Sequence, residues 1–238
     1  MARILSGLFW TVIVVTCPVF FLGAILVWAV TAPFDRRKLA LHLYSSAWAV
    51  FYVRVNPLWR LRTTGRARLP WHGAAVIVAN HASFLDILVL FDLFRPFKWV
   101  SKAEMFKIPV IGWNMSLNGY VRLVRGSGES VRRMMARCGE LLDQGTPVLI
   151  FPEGRRSADG RLQAFKDGAF ELAMRHRVPV IPVAVSGTGR ALPKHGMILR
   201  ERVDARVEVL PAICPADYAE VAGLRDAARD RIDAALSK

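Results

Sequence analysis

From Ile4 to Phe34 the chain runs for 31 residues without a charge or a histidine, rich in Leu, Ile, Val, Phe and Trp. As one helix this stretch would extend about 46 Å at about 1.5 Å per residue, beyond the roughly 30 Å hydrocarbon core of a bilayer. Its natural surroundings are lipid, and the open question is how it sits there. Pro18 stands near the middle, where a proline removes a backbone donor and favours a kink or break. The two halves would each be too short to span, so a re-entrant, monotopic anchor is preferred to a full span. Arg36, Arg37 and Lys38 follow at once and orient this end toward the cytoplasmic face of the membrane. The next uncharged run, Leu39 to Val53, carries Tyr44, Trp48, Phe51 and Tyr52 and reads as an interfacial helix lying among headgroups. A cleaved signal peptide fits poorly, because its apolar core is ordinarily only about 7–15 residues.

The charge agrees with that setting. The chain holds 33 Lys and Arg against 19 Asp and Glu, a net charge of +14. Residues 1–68 alone carry nine basic residues against the single acid Asp35. Beside an apolar segment such an excess points to an anionic membrane surface, and no nucleic-acid partner is expected. Cys17, Cys138 and Cys214 form no CxxC pair and no disulfide framework, which suits a reducing compartment. His42, His72, His81, His176 and His195 show no HExxH or paired-ligand spacing, so no metal is expected. No long linker or repeat interrupts the remainder. Two parts are therefore expected: a membrane-associated helical segment over 1–68, and one compact unit over 69–238 that would stay folded if the first were removed.

Ala74–Ala79 is a continuous apolar run bounded by Gly73 and Asn80, the pattern of a strand covered on both faces. Similar runs recur at Phe97–Ser101, Tyr120–Val124, Pro147–Phe151, Val178–Val185 and Ala205–Leu210. Helix-like stretches separate most of them, at Ser83–Phe94, Ser127–Asp143, Lys166–His176 and finally Asp217–Leu236. This alternation predicts an α/β fold, a mostly parallel or mixed sheet flanked by helices, with its ligands beyond the carboxyl ends of the strands.

Four blocks lie at such ends. In Asn80-His81-Ala82-Ser83-Phe84-Leu85-Asp86, a histidine is poised as a general base and a carboxylate one turn on can fix its tautomer. The spacing alone is weak, since a chain of this composition yields about 0.4 His-x4-acid pairs by chance. Ser83 and Asp86 equally fit the N-cap and N3 positions of a capping box. In Phe151-Pro152-Glu153-Gly154-Arg155-Arg156-Ser157, glycine lets a ligand approach the backbone and arginine offers a planar fork to phosphate, although a solvated turn reads the same way. Gly119-Tyr120-Val121-Arg122-Leu123-Val124-Arg125 ends a strand on an arginine. Val178–Gly187 is a buried strand with two prolines, most simply a structural element.

The four blocks together resemble the glycerolipid acyltransferase family, most closely the 1-acylglycerol-3-phosphate acyltransferases. Its His-x4-Asp block is matched by His81 and Asp86, its Gly-to-Arg block by Gly119 and Arg125, and its FPEGTRS block by Glu153, Gly154 and Arg156. Arg155 departs from the usual threonine and adds a cation beside the phosphate site. Lys102 also resembles a substrate-contacting lysine of that family. The resemblance covers roughly Leu69 to Gly187. It implies direct transfer of a fatty acyl group from the thioester of acyl-CoA or acyl carrier protein, with no cofactor, to the sn-2 hydroxyl of lysophosphatidic acid. His81 would be the base and Asp86 its orienting partner, with Arg125, Glu153, Gly154, Arg156 and Lys102 binding substrate. The alternatives are another lyso-lipid acceptor, or a serine esterase or thioesterase, for which no GxSxG elbow is present.

Overall fold

The apolar N-terminal run forms one helix, α1 (Ala2–Thr31), that passes through Pro18 unbroken. Proline there forfeits a single i to i−4 bond, which a 30-residue helix survives. The expected reversal inside the run is absent, and the chain turns only after Thr31. The protein is described here from a computed structural model over residues 2–157, 160–189 and 202–237. Within it, Leu5–Thr31 is the one helix long and apolar enough to cross a membrane, with a mean hydropathy of 2.5 and 11% of its most apolar window buried against the rest of the chain.

The turn is closed by Asp35, whose carboxylate accepts the N–H of Ala40 at 2.8 Å in the first turn of α2 (Leu39–Val55). Contrary to the interfacial reading, α2 is a core helix. Leu41, His42, Trp48, Val50, Tyr52 and Val53 are all buried. One side meets α1, where Phe20 stacks on Trp48 at 5.6 Å and Thr16 bonds the Tyr52 hydroxyl at 2.9 Å. The other meets the sheet: the His42 ring lies between the Tyr120 hydroxyl at 2.9 Å and the Arg95 carbonyl at 3.0 Å. Burial holds this imidazole far below its ordinary range, at about 3.

Seven strands form the sheet: β1 (Trp59–Thr64), β2 (Val76–Ala79), β3 (Lys98–Lys102), β4 (Val121–Leu123), β5 (Val148–Ile150), β6 (Val180–Ser186) and β7 (Val203–Val209), in the order β1-β7-β6-β2-β5-β3-β4. The five from β6 to β4 are mutually parallel, whereas β7 runs antiparallel to β6 and takes β1 along with it. The expected boundary at residue 68 therefore falls inside the folded unit, because β1 pairs with β7 along its whole length. Sequence reasoning passed over β1 because its alternating Arg60 and Arg62, exposed at a sheet edge, resemble the basic stretch of an anchor.

Central β2 is apolar throughout because both of its faces are covered. Ile77 and Ala79 join the core beneath α1, α2 and α3 (Leu85–Leu90), while Val76 and Val78 join the core beneath α5 (Gly128–Asp143), α6 (Gly168–His176) and α7 (Val221–Leu236). A short α4 (Ile111–Leu117) precedes β4 and rests against α1. Pro182 is tolerated inside β6 because its carbonyl accepts the Leu210 N–H at 2.9 Å just where pairing with β7 stops, so its missing donor falls at a ladder end.

Candidate active site

Strand β2 lies between β5 and β6, all three parallel, so their carboxyl ends open at one edge of the sheet. From these ends come Asn80–Asp86, Phe151–Ser157 and Gly187–Thr188.

His81 is 8% exposed and its ring stacks on Phe151 at 4.0 Å between centroids, 14° from parallel. Nδ1 lies 2.9 Å from Oδ2 of Asp86. Facing a carboxylate, Nδ1 holds the proton, which leaves the Nε2 lone pair free, and Nε2 enters no hydrogen bond among the described residues. Asp86 is fully buried, and its Oδ2 also accepts the N–H groups of Ala82 at 2.7 Å and Ser83 at 2.8 Å. The same oxygen thus faces the imidazole and supplies one half of the expected capping box, the bond from the Ser83 N–H; the other half is not made, since Ser83 Oγ accepts from Leu85 and the residue that caps α3 is Phe84. The other oxygen, Oδ1, accepts the hydroxyl of buried Thr188.

The FPEGRRS turn grips His81 through the backbone. Glu153 accepts the His81 N–H on Oε1 at 2.6 Å and the Gln163 N–H on Oε2 at 3.0 Å, and Ser157 N–H donates to the His81 carbonyl at 2.8 Å. Glu153 was expected to touch substrate. Instead it is buried with both oxygens taken by main-chain donors, so its part is to brace the loop that carries the histidine. Burial pushes its carboxyl up, and the two N–H groups oppose that rise. On the other side of β2, the Asn80 amide makes two 2.8 Å bonds to the Val185 main chain and locks the ends of β2 and β6 together.

Arg155 and Arg156 are exposed on the turn held against His81, with no side-chain partner among the described residues. Arg125, also exposed, stands two residues beyond β4, three strand positions from β2. At about 4.8 Å per strand that is roughly 14 Å away, on the same edge. Lys102 ends β3, two positions from β2, with its ammonium 3.3 Å from Glu104. The site thus gathers His81, Asp86, Glu153, Gly154 and the Arg156 turn, with Lys102 and Arg125 farther along the rim. No group of three or more His, Cys, Asp or Glu suited to a metal occurs among the described residues, and His195 lies outside them. Sequence reasoning missed Thr188. It lies 102 residues from the carboxylate it contacts, and its only signal is a position just past a strand end.

A 1-acyl-sn-glycerol-3-phosphate acyltransferase of Chlamydomonas reinhardtii is 40% identical over 205 residues, which is 85% of this chain and 60% of that protein. The chloroplastic 1-acyl-sn-glycerol-3-phosphate acyltransferase LPAT1 of Arabidopsis thaliana is 43% identical over 66% of this chain and 44% of its own length. The chain therefore spans about half the length of these relatives. The crystal structure of the 1-acyl-sn-glycerophosphate acyltransferase PlsC from Thermotoga maritima has the same fold, with a TM-score of 0.79 at 23% identity over 99% of this chain and 96% of that one. A family model described as Acyltransferase matches residues 60–186, from the start of β1 to the end of β6. That span takes in the His81–Asp86 pair, the turn that braces it and more than half of the protein, and this chain belongs to the acyltransferase family.

Proposed function

We propose that the protein moves a fatty acyl group from acyl-CoA or acyl carrier protein to the sn-2 hydroxyl of lysophosphatidic acid, yielding phosphatidic acid at the cytoplasmic face of a membrane. The observation that carries this reading is a histidine with Nδ1 held by Asp86 and Nε2 open, on the same main-chain brace as an exposed arginine turn. The names of the relatives favour the same acceptor. Nε2 takes the hydroxyl proton as the oxygen attacks the thioester carbonyl. The C–S bond then breaks, and the proton passes from the imidazolium to the departing thiolate. Asp86 stabilises the imidazolium meanwhile, and no acyl-enzyme forms. Ser83 is a poor nucleophile for an esterase, because it is buried with its hydroxyl accepting the Leu85 N–H at 3.2 Å.

Arg156 would hold the acceptor's phosphate beside the base, so that proximity supplies much of the rate. The test is Arg156→Lys in the full chain, assayed with both donors and a panel of lyso-lipids. A point charge cannot reproduce a bidentate fork, so the KM of lysophosphatidate should rise about tenfold while the donor's stays within twofold. A change confined to the donor's constant would assign the arginine to the donor and remove the support for a phosphate-bearing acceptor.

A further inference from the structure

Gly154 has a second occupant beside it. Its φ of 69° is one that residues with a Cβ rarely adopt, and Cε and Nζ of Lys166 each lie 3.1 Å from where a Cβ would stand. The Lys166 N–H donates to the Pro152 carbonyl at 3.0 Å, which fixes its main chain against the FPEGRRS turn. The room left by the glycine is thus used by an ammonium.

That ammonium has no anionic partner among the described residues. The neighbouring carboxylate of Asp167 is engaged by Arg225 at 2.8 Å, and Glu153 has both oxygens occupied by main-chain N–H groups. Arg155 and Arg156 are exposed on the same turn, with no side-chain partner among the described residues. Lys166 thus lies against the turn that carries Arg155 and Arg156, and like charges gathered this way repel one another unless an anion lies between them. The main-chain bonds hold the loop in shape regardless of that repulsion.

We propose that Lys166 is a specificity-determining residue that contacts the acceptor's phosphate monoester through the gap left by Gly154, together with Arg156. This rests on the phosphate-bearing acceptor argued above. Arg156 would supply the directional fork and Lys166 a mobile point charge, so the pair responds to the net charge of the headgroup as well as its shape.

The test compares the full chain with Lys166→Met, which keeps the stem against Gly154 and removes the charge, and with Lys166→Arg, which keeps the charge. Acceptor and donor KM are measured separately with lysophosphatidate, and glycerol 3-phosphate is titrated as a competitive inhibitor. For Lys166→Met, the acceptor KM and the inhibition constant of glycerol 3-phosphate should each rise about tenfold, as for loss of one charged contact, with kcat and the donor KM within about twofold. Lys166→Arg should recover most of both. Equal inhibition of the wild type and Lys166→Met by glycerol 3-phosphate, absence of inhibition in either, or a rise confined to the donor KM would overturn the proposal. Should the wild type prefer a lyso-lipid without a phosphate monoester, the acceptor reading fails instead, and glycerol 3-phosphate inhibition still decides the part of Lys166.

Discussion

Asp86 does two jobs with one carboxylate, and a single pair of substitutions separates them. In Asp86→Asn the amide oxygen can occupy the Oδ2 position and go on accepting from His81 Nδ1 and from the Ala82 and Ser83 N–H groups. The amide nitrogen then faces the Thr188 hydroxyl, which can rotate to accept. The main-chain bonds survive and the charge is lost. A unit charge about 4 Å from the imidazolium is worth roughly 4 kcal/mol at an effective dielectric constant of about 20, so kcat should fall about 10²–10³-fold. Asp86→Ala instead leaves the Ala82 and Ser83 donors unmatched, at about 1–3 kcal/mol each, and should lower thermal stability as well. Release of free thiol from acyl-CoA gives kcat, and a melting curve of the same preparation gives stability. If Asp86→Asn keeps kcat within about threefold of wild type, the carboxylate is only a helix cap and the general-base argument fails.

Three other expectations follow from the same contacts. Glu153→Gln turns one of two acceptors into a donor facing an N–H, so it should destabilise the protein by about 1–3 kcal/mol and lower kcat more than it raises the acceptor KM; a pure KM effect would return Glu153 to substrate binding. His42 titrates near 6.5 in the unfolded chain and at about 3 when folded, so its stability contribution is complete above about pH 6.5 and is lost as pH falls toward 3. Unfolding measured between pH 7 and 4 should show this slope, and His42→Gln should flatten it; an equal slope in both would exclude His42 as its source. Deleting residues 1–68 should abolish cooperative unfolding, because it removes β1 and α2; a soluble fragment with a sharp melting transition would contradict that.

How legible the fold was depended on the burial of each strand. β2 and β6 are covered on both faces, so their sequences are unbroken apolar runs with sharp ends. β7 shows its alternation plainly, with Val203, Ala205, Val207 and Val209 inward and Asp204 and Arg206 outward. β1 failed the same reading because its inward positions are Trp59, Leu61 and Thr63, too few and too mixed to stand out between arginines. α2 failed for a different reason. Its Tyr, Trp and Phe side chains have the composition of an interfacial belt, and only the packing of α1 on them shows that Trp48 and Tyr52 face protein, whereas Phe51 stays exposed. Pro18 misled because a proline's local penalty is fixed, whereas the length of helix that outweighs it is set by the whole run.

The residue types of the site were visible, but their arrangement was not, because chain order and strand order differ. Along the sequence the Arg125 block precedes FPEGRRS and stands closer to His81, whereas in the sheet β5 adjoins β2 and β4 lies at the edge. The neighbours that fix His81 come from 72 residues away through Glu153 and from 102 residues away through Thr188, whose target is Asp86. No spacing within one block reports such contacts. His81 is thus held by two strands that must both be paired with β2 before the imidazole has its orientation. The orientation of His81 therefore depends on the long-range pairings of β2 with β5 and β6, and a weakened β6 should reach the imidazole through Asn80 and Thr188 while leaving the arginine turn on β5 in place.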